Sequence, residues 1–472
     1  MVGWVLVSVA ALLLLPLICA ICYSESILPY LYTILISGVL GGAAVLFVRP
    51  RKKALYAREG YLTVALTWIV VSLVGCLPFL FSGAIPRFVD AFFETVSGFT
   101  TTGSTILSNV EILPRGILFW RSFTHWIGGM GVIVFIMAIL PSAGNGSVHI
   151  MKAEVPGTSF GKVAPKLKVT AKWLYYIYIA LTVIMVGFLL GGGMSLFDSL
   201  VHAFGTAGTG GFSVYNASIG HYGSLYFEVV ITVFMLLFGV NFNVFFLVLL
   251  RDFKSILKSD ELWTYFGIVA ASSLLIATNI LSLYENFAEA LRYSGFQVAS
   301  IISTSGFATA DYCSWPMFSQ AIIVLLTFFG ACGGSTGGGF KVTRVLLMLK
   351  KVKRDLHRMI HPRSVKPIRL NGKQVDDATL NDLSAYTMAY FLLAGGGILL
   401  IALDNVDFAS TFGAVATCLN NVGPGLGLVG PTGNFAFFSD ASKYILSALM
   451  LFGRLEIFPL LLTFCPMLYR KK

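Results

Sequence analysis

The sequence predicts an all-α polytopic membrane protein, with four repeats of helix, pore loop and helix around a pseudo-four-fold pore and two extra N-terminal transmembrane helices. Three observations predict this fold. First, the 472-residue chain is 57% hydrophobic and only 12% charged, with a mean hydropathy of +0.83. A soluble domain has about 25% charged residues, so a bilayer is the solvent that fits this composition. Second, apolar segments of about 20 residues, long enough to cross a bilayer core, recur along the chain. Third, four glycine-rich loops lie between these segments at similar intervals.

Ten apolar segments are predicted to cross the membrane. They lie at approximately 2–22, 30–48, 61–83, 117–140, 171–192, 224–250, 261–283, 317–349 (interrupted), 384–403 and 441–467. Basic residues cluster between alternate segments, as the positive-inside rule expects of cytoplasmic loops, and ten crossings place both termini in the cytoplasm. This topology accounts for the net charge of +11, so no nucleic-acid partner is predicted. The first segment lacks the basic region and cleavage site of a signal peptide, so we expect it to be retained.

The four glycine-rich loops define an internal repeat of about 100 residues. Their central glycines are predicted to be Gly103, Gly210, Gly306 and Gly423, which lie 107, 96 and 117 residues apart. Each loop follows a semi-apolar segment that is too short to cross a bilayer. We expect a re-entrant half-helix there, because irregular backbone at membrane depth must be buried in protein or line water. The predicted division is residues 1–50 for the N-terminal helices, 51–150 for repeat 1, 151–255 for repeat 2, 256–360 for repeat 3 with its gate loop, and 361–472 for repeat 4.

An acidic residue begins each half-helix: Asp90, Asp198, Glu289 and Asp407. We expect these residues to cap the helix N-termini and to complement the helix macrodipole. Attraction of cations to the outer mouth is the alternative. The partially negative C-termini of the half-helices would then face the glycine loops, where they favour cations.

The chemistry of the loops fits a dehydrated monovalent cation. Backbone carbonyls can replace the hydration shell of the ion if a glycine in each loop tolerates a positive φ. The fourth loop, Asn421-Val422-Gly423-Pro424-Gly425, matches the TVGYG type of potassium filter at Val and at both Gly positions. The other three loops share only the central glycine. The loop apices carry no acidic residues, which a divalent-cation filter would require.

The eighth segment contains six glycines between Gly330 and Gly339. Each glycine costs a helix up to about 1 kcal/mol relative to alanine, so the helix is predicted to break in mid-membrane. We interpret the break as a movable gate loop below the filter. A close-packing glycine face is the alternative. The sequence Gly339-Phe340-Lys341 lacks the Gly-Lys-Ser/Thr ending of a phosphate-binding loop.

Arg454 lies in the tenth segment, roughly 20 Å from either end of the predicted helix. A charge this deep usually faces a cavity or a partner. We expect it to point into the pore as an electrostatic barrier or as an anchor of the gate loop. An ion pair with a neighbouring helix is the alternative, but not with Glu456, which would lie on a different side of the same helix. His125, Asn241 and Asn243 are expected to form interhelical hydrogen bonds. No catalytic triad, metal-ligand set or pair of carboxylates stands out, so the chain is not predicted to be an enzyme.

Several motifs resemble the TrkH branch of the Trk/Ktr/HKT potassium transporters. They are Phe99-Thr-Thr-Thr-Gly-Ser-Thr105, Trp126-Ile-Gly-Gly-Met-Gly131, Thr304-Ser-Gly-Phe-Ala-Thr-Ala-Asp-Tyr312, the glycine-rich break and the buried Arg454. The two extra N-terminal segments are similar to TrkH rather than to KtrB. The resemblance implies potassium uptake through a bacterial inner membrane by a homodimer. It also implies regulation by a cytosolic, nucleotide-binding TrkA-type ring. A proton- or sodium-coupled potassium symporter remains the alternative.

The resemblance also implies which residues bind K⁺ and which form the gate. The implied filter residues are Thr101, Thr102, Gly103, Gly208, Thr209, Gly210, Thr304, Ser305, Gly306, Asn421, Val422 and Gly423. The implied gate residues are Gly333, Gly334, Ser335, Thr336, Gly337, Gly338, Gly339 and Arg454.

Overall fold

The computed structural model describes residues 2–47, 57–131 and 167–465. Over these ranges the chain is helical apart from its loops and one short antiparallel hairpin, which pairs Arg369–Leu370 with Lys373–Gln374. Six of the described helices are long and apolar enough to cross a membrane, or seven if one bent pair counts as a single span. The predicted all-α, polytopic membrane fold is therefore confirmed.

Two helical segments precede the repeats, as predicted. Val2–Leu12 continues through a slight break into Leu14–Cys22, and Leu28–Phe47 returns beside it. The two segments approach closely at glycines: a Cβ on Gly41 would lie 2.8 Å from the carbonyl oxygen of Gly3. Small residues permit this kind of close helix packing in membranes.

Each repeat contains a first helix, a shorter pore helix, a glycine loop and a second helix. The first helices are Ala57–Gly75 (continued by Leu77–Phe81), Leu167–Gly191, Asp260–Asn279 and Asp377–Ile401. The pore helices are Phe88–Phe99, Leu196–Gly208, Phe287–Ile302 and Phe408–Asn420. With 12 to 16 residues they extend about 18 to 24 Å, less than the roughly 30 Å of a bilayer core. Their C-terminal halves are buried, so the core of the molecule surrounds the loops that follow them.

In the described residues, three of the four second helices are broken near mid-length, and this corrects the prediction of a single interrupted segment. The four second helices are Arg115–Gly129, Leu225–Gly239 with Phe242–Leu249, Met317–Phe329 with Val342–Ile360, and Asp440–Arg454 with Phe458–Thr463. A short helix, Phe253–Leu257, follows the second of these. The helix Arg115–Gly129 ends at the pair Gly128 and Gly129. The rest of the predicted segment, 132–140, falls outside the described residues.

The prediction of unbroken segments at 224–250 and 441–467 is wrong, for local reasons. The first segment bends by 92° between its two helices. Asn241 caps the second of these by accepting a hydrogen bond from the amide of Asn243 at 2.9 Å. In the tenth segment, Glu456 and Ile457 adopt left-handed φ values of 56° and 63°, which a helix cannot accommodate.

The acidic residues at the pore-helix starts behave differently from one another. Asp407 is the N-cap of its helix and accepts a hydrogen bond from the amide of Ser410 at 2.9 Å, as predicted. In the other three helices the acid lies in the first turn and another residue is the N-cap. Glu289 nevertheless accepts a hydrogen bond from the amide of Glu285, just before its helix, at 3.1 Å. Asp90 forms a partly buried ion pair of 2.6 Å with Lys443 of repeat 4. The helix macrodipole favours an acid at all four positions, whereas the predicted N-cap position is wrong for three.

Candidate functional site

The backbone gives the four loops the same conformation and fixes their register. In each loop, a non-glycine residue with left-handed φ precedes a glycine with positive φ by two positions. The left-handed residues are Thr101, Thr209, Thr304 and Asn421, and the matching glycines are Gly103, Gly211, Gly306 and Gly423. The predicted central glycine of repeat 2, Gly210, is therefore wrong by one residue. The correct glycine is Gly211, which is followed by Phe212 just as Gly306 is followed by Phe307.

The four central glycines contact one another's loops in a closed ring. A Cβ on Gly103 would overlap the carbonyl oxygen of Gly210, and one on Gly211 would overlap that of Ser305. The ring continues in repeats 3 and 4. A Cβ on Gly306 would overlap the carbonyl oxygen of Val422, and a Cβ on Gly423 would lie 2.8 Å from that of Thr102. Each glycine thus meets the carbonyl of the residue just before the next repeat's glycine. The positions of Thr102, Gly210, Ser305 and Val422 are therefore equivalent around one axis.

The closed ring explains why glycine is required at its four central positions. Both the positive φ and the absence of room for a Cβ exclude other residues there. A ring of backbone carbonyls is the arrangement that can replace the hydration shell of a monovalent cation. The residues that follow the glycines line an open cavity, which all four central glycines reach. An ion could therefore enter the ring from that side.

Side-chain hydrogen bonds between the loops reinforce the ring, and the sequence pattern did not reveal them. The amide nitrogen of Asn421 donates to the hydroxyl of Thr102 at 2.9 Å and to the carbonyl of Met450 at 2.9 Å. The hydroxyl of Ser104 donates to the carbonyl of Gly423 at 3.2 Å. Repeats 4 and 1, at opposite ends of the chain, are joined in this way.

The glycine-rich segment between Met317–Phe329 and Val342–Ile360 lies directly against the pore loops. The amide of Gly338 donates to the hydroxyl of Thr304 at 2.6 Å. A Cβ on Gly338 would overlap the carbonyl of Asn420, and one on Gly337 would lie 2.8 Å from that of Ser303. The glycines therefore allow the segment to sit against the loop residues that precede the central glycines of repeats 3 and 4.

The same segment also fills the break in the second helix of repeat 2. The amide of Cys332 donates to the carbonyl of Gly239 at 3.0 Å, and the amide of Phe242 donates to that of Gly334 at 3.0 Å. The buried Glu261 holds the start of the glycine-rich segment by accepting a hydrogen bond from the amide of Gly333 at 2.5 Å. These bonds replace backbone hydrogen bonds that a broken helix cannot make. The breaks of repeats 2 and 3 therefore satisfy each other's backbone polar groups.

Arg454 joins three repeats through backbone carbonyls. Its guanidinium donates to the carbonyl of Thr336 in the glycine-rich segment at 2.8 Å. It also donates to the carbonyls of Gly128 and Gly129 at 2.5 and 2.7 Å, at the C-terminus of a helix, where the macrodipole favours a cation. The helix of Arg454 ends at that residue, so the helical geometry assumed for Glu456 does not apply. Glu456 forms an ion pair with Arg344.

His125 differs from the prediction. Neither ring nitrogen has a hydrogen-bond partner among the described residues, so the expected interhelical hydrogen bond is wrong. The ring stacks on Phe212 with centroids 4.1 Å apart. Asn241 caps its own helix as described above, and its side chain also forms the expected interhelical hydrogen bond, with Glu261 of Asp260–Asn279.

The chain matches one family model over nearly its whole length. The TrkH model, described as a cation transport protein, matches residues 30–284 and 269–471. The chain belongs to the TrkH family. The TrkH potassium uptake protein of the Trk system of Salmonella typhimurium is 38% identical over 477 residues, covering 100% of this chain and 98% of the relative. Its counterpart in Escherichia coli K12 is 40% identical, covering 90% and 88% of the two chains.

A solved structure of the TrkH family is similar to the present fold. The crystal structure of the potassium transporter TrkH from Vibrio parahaemolyticus matches with a TM-score of 0.89 and 35% identity. The match covers 99% of this chain and 98% of that chain. Family membership confirms that the chain is a multi-pass membrane protein of a transporter family rather than an enzyme.

Proposed function

We propose that this chain takes up potassium through a bacterial inner membrane by way of the four-loop ring. The observation that carries the proposal is the closed set of contacts between each central glycine and the carbonyl of the next loop. Carbonyl oxygens suit K⁺, because each partially negative oxygen replaces part of the hydration shell without trapping the ion as a full charge would. The relatives' names, which describe potassium uptake, support the choice of K⁺.

In this proposal the bound ions lie along the backbone of the four loops. Three loops contribute the predicted residues Thr101–Gly103, Thr304–Gly306 and Asn421–Gly423. In repeat 2 the equivalent set is Thr209, Gly210 and Gly211, so Gly208 falls outside it. The hydroxyl and amide side chains of these residues hold the loops in place and complete the polar surroundings.

The glycine-rich segment 333–339 is proposed as the gate, and Arg454 as its anchor and as a barrier to cations. Support comes from the hydrogen bond between Gly338 and Thr304, which puts the segment against the filter loops. Arg454 holds the segment at Thr336 and adds a positive charge near the proposed ion path. Displacing the segment would remove both obstacles to ion flow.

Homodimer formation and a cytosolic TrkA-type, nucleotide-binding partner complete the proposal, with both termini in the cytoplasm. Support for the dimer comes from Val342–Ile360, where Leu349, Val352 and Leu356 are more than half exposed along one helix face. A second copy could cover such an apolar stripe. The regulatory partner rests on the resemblance to the Trk system. Light scattering in detergent would give the number of copies.

The proposal is tested by ion flux into liposomes that contain the purified chain. We expect the reversal potential to follow the potassium gradient alone, and Gly103→Ser and Gly423→Ser to weaken the preference for potassium over sodium. In both variants a Cβ would meet the backbone of a neighbouring loop. Unchanged potassium-over-sodium permeation in both variants would contradict the proposed filter. A reversal potential that also follows the proton or sodium gradient would favour the coupled symporter.

A further inference from the structure

A buried ion pair lies beside the filter, between repeats 1 and 2. Arg121 and Glu94 are 3% and 0% exposed, and Nε of Arg121 is 2.6 Å from Oε1 of Glu94. Glu94 also accepts hydrogen bonds from the hydroxyl of Thr105 at 2.9 and 3.0 Å and from the amide of Ile106 at 3.0 Å. The pair therefore holds Thr105 and Ile106, which lie two and three residues after Gly103 in the loop of repeat 1.

The same arginine holds the filter loop of repeat 2. Its guanidinium carbon lies 3.4 Å from the ring centroid of Phe212, and it donates to the carbonyl of Ser213 at 3.3 Å. His125, one helical turn after Arg121, also stacks on Phe212, with an angle of 24° between the rings. Phe212 directly follows the central glycine Gly211, so these aromatic and cation–π contacts fix the backbone beside that glycine.

The contact extends down one face of the helix Arg115–Gly129. The ring of His125 leaves no room for a Cβ on Gly210, and a Cβ on Gly129 would lie 2.7 Å from the Cα of Gly208. Arg121, His125 and Gly129 are four residues apart and share this face. The filter segment of repeat 2 is thus packed along its length against a helix of repeat 1.

We propose that Arg121 and Phe212 are positioning residues that set the selectivity of the filter between repeats 1 and 2. Through Glu94, one side chain orients the ends of both filter segments and so sets the spacing of the carbonyls of Thr102 and Gly210. Glu94 also compensates a positive charge that lines the ion cavity and would otherwise repel K⁺. This inference rests on the proposed function.

The test uses two conservative variants that keep the buried charges. Phe212→Leu keeps an apolar side chain but removes the ring face that the guanidinium covers. Arg121→Lys keeps the charge near Glu94, but a compact ammonium cannot lie flat on the ring. We expect each variant to lower the potassium-to-sodium permeability ratio severalfold, measured from reversal potentials of the full-length chain in liposomes. The double variant should lower the ratio by less than the two single effects combined, because both changes remove the contact between the guanidinium and the ring.

Glu228→Gln supplies the matched control. Glu228 pairs with Arg292 at 2.5 and 2.6 Å, and Arg292 lies on a pore helix 14 residues before Gly306. Losing this pair should reduce the amount of folded protein and total flux while leaving the permeability ratio unchanged. The ratio therefore separates positioning from general stability.

The outcomes distinguish the inference from the function on which it rests. Selective potassium flux in the wild type with unaltered ratios in Phe212→Leu and Arg121→Lys would overturn the inference alone. A ratio lowered equally in the Glu228→Gln control would also overturn it, because the effect would then be non-specific. A wild-type chain without potassium flux would overturn the proposed function and the inference together.

Discussion

At the residue scale, the filter is marked by strained backbone. Thr101, Thr209 and Thr304 all have a left-handed φ, between 56° and 60°, although threonine is β-branched and rarely adopts it. Asn421 fills the same place in repeat 4 and tolerates that conformation more easily. Such strain persists only where the surrounding contacts over-determine it, and it concentrates at functional sites. Its four-fold recurrence is consistent with one shared role.

The register of repeat 2 shows how far sequence reasoning reaches at this scale. The spacing of the repeats located all four loops, and three central glycines are correct. In Gly208-Thr-Gly-Gly-Phe212, however, Gly210 and Gly211 are adjacent and both conformationally free. Spacing cannot choose between them, because the repeats differ in length by more than one residue. The choice depends on the contact with Ser305, which only the assembled ring provides.

We predict that Gly211→Ala lowers the potassium-to-sodium permeability ratio. Its φ is +75° and its new Cβ would overlap the carbonyl oxygen of Ser305, displacing the filter backbone. The measurement is the reversal potential under a mixed potassium and sodium gradient.

Gly193→Ala is the control for the strain in Gly211→Ala. Gly193 has a φ of +92° but no atom within 4 Å of a new Cβ, so alanine there adds only backbone strain of roughly 1–2 kcal/mol. Gly193→Ala should lower the stability of the protein somewhat and keep the wild-type potassium-to-sodium permeability ratio. Equal ratios in Gly211→Ala and the wild type would argue against the corrected register.

At the element scale, helix propensity predicted one break and missed the others. The break at Gly330–Gly339 follows from composition, because glycine is costly in a helix. The breaks after Gly239 and Arg454 lie in largely apolar sequence with few glycines. The break after Gly239 forms because Asn241 caps a new helix and because the glycine-rich segment occupies the gap. The break after Arg454 lies at Glu456 and Ile457, which have positive φ values, and Glu456 pairs there with Arg344. Such breaks depend on tertiary contacts, which a hydropathy pattern does not contain.

We predict that shortening the glycine-rich segment by several glycines within 330–339 raises basal potassium flux. The shorter segment can no longer reach both Thr304 and the break of repeat 2. Arg454→Ala should raise flux as well, because it releases the carbonyl of Thr336 and removes a positive charge. Both effects are measured as flux in liposomes that contain no other protein.

Ser335→Ala is the control for these gate variants. The hydroxyl of Ser335 bonds within the segment, to the carbonyl of Cys332, so its loss should leave flux unchanged. Unchanged or lower flux after shortening would refute the assignment of the gate. Loss of folding in Arg454→Ala would favour a structural role for this arginine.

At the scale of the whole molecule, the N-terminal helices support the first repeat. Glu25, just after Leu14–Cys22, accepts hydrogen bonds from the amides of Arg115 and Gly116 at 2.6 and 2.9 Å. It thereby caps the helix whose face packs against the filter loop of repeat 2. Arg115 also lies 4.4 Å from the ring centroid of Tyr23. Hydropathy predicted these helices but gave no sign of this contact, which spans 90 residues.

We predict that Glu25→Ala lowers the free energy of unfolding by about 0.5–2 kcal/mol, the usual effect of losing a helix cap. Glu25→Gln should cost less, because its amide oxygen can still accept a hydrogen bond. Thermal unfolding of the chain in detergent measures both. Equal unfolding temperatures for the three proteins would show that this cap contributes nothing.

The hydrogen bond between Gly338 and Thr304 connects movement of the proposed gate with binding of ions in the proposed filter. If the glycine-rich segment moves, a filter residue loses a partner, and the backbone that holds the ions changes its surroundings. Ion occupancy and opening are then thermodynamically linked, and each must bias the other by the same free energy. The permeating ion would act as an effector of the path through which it moves.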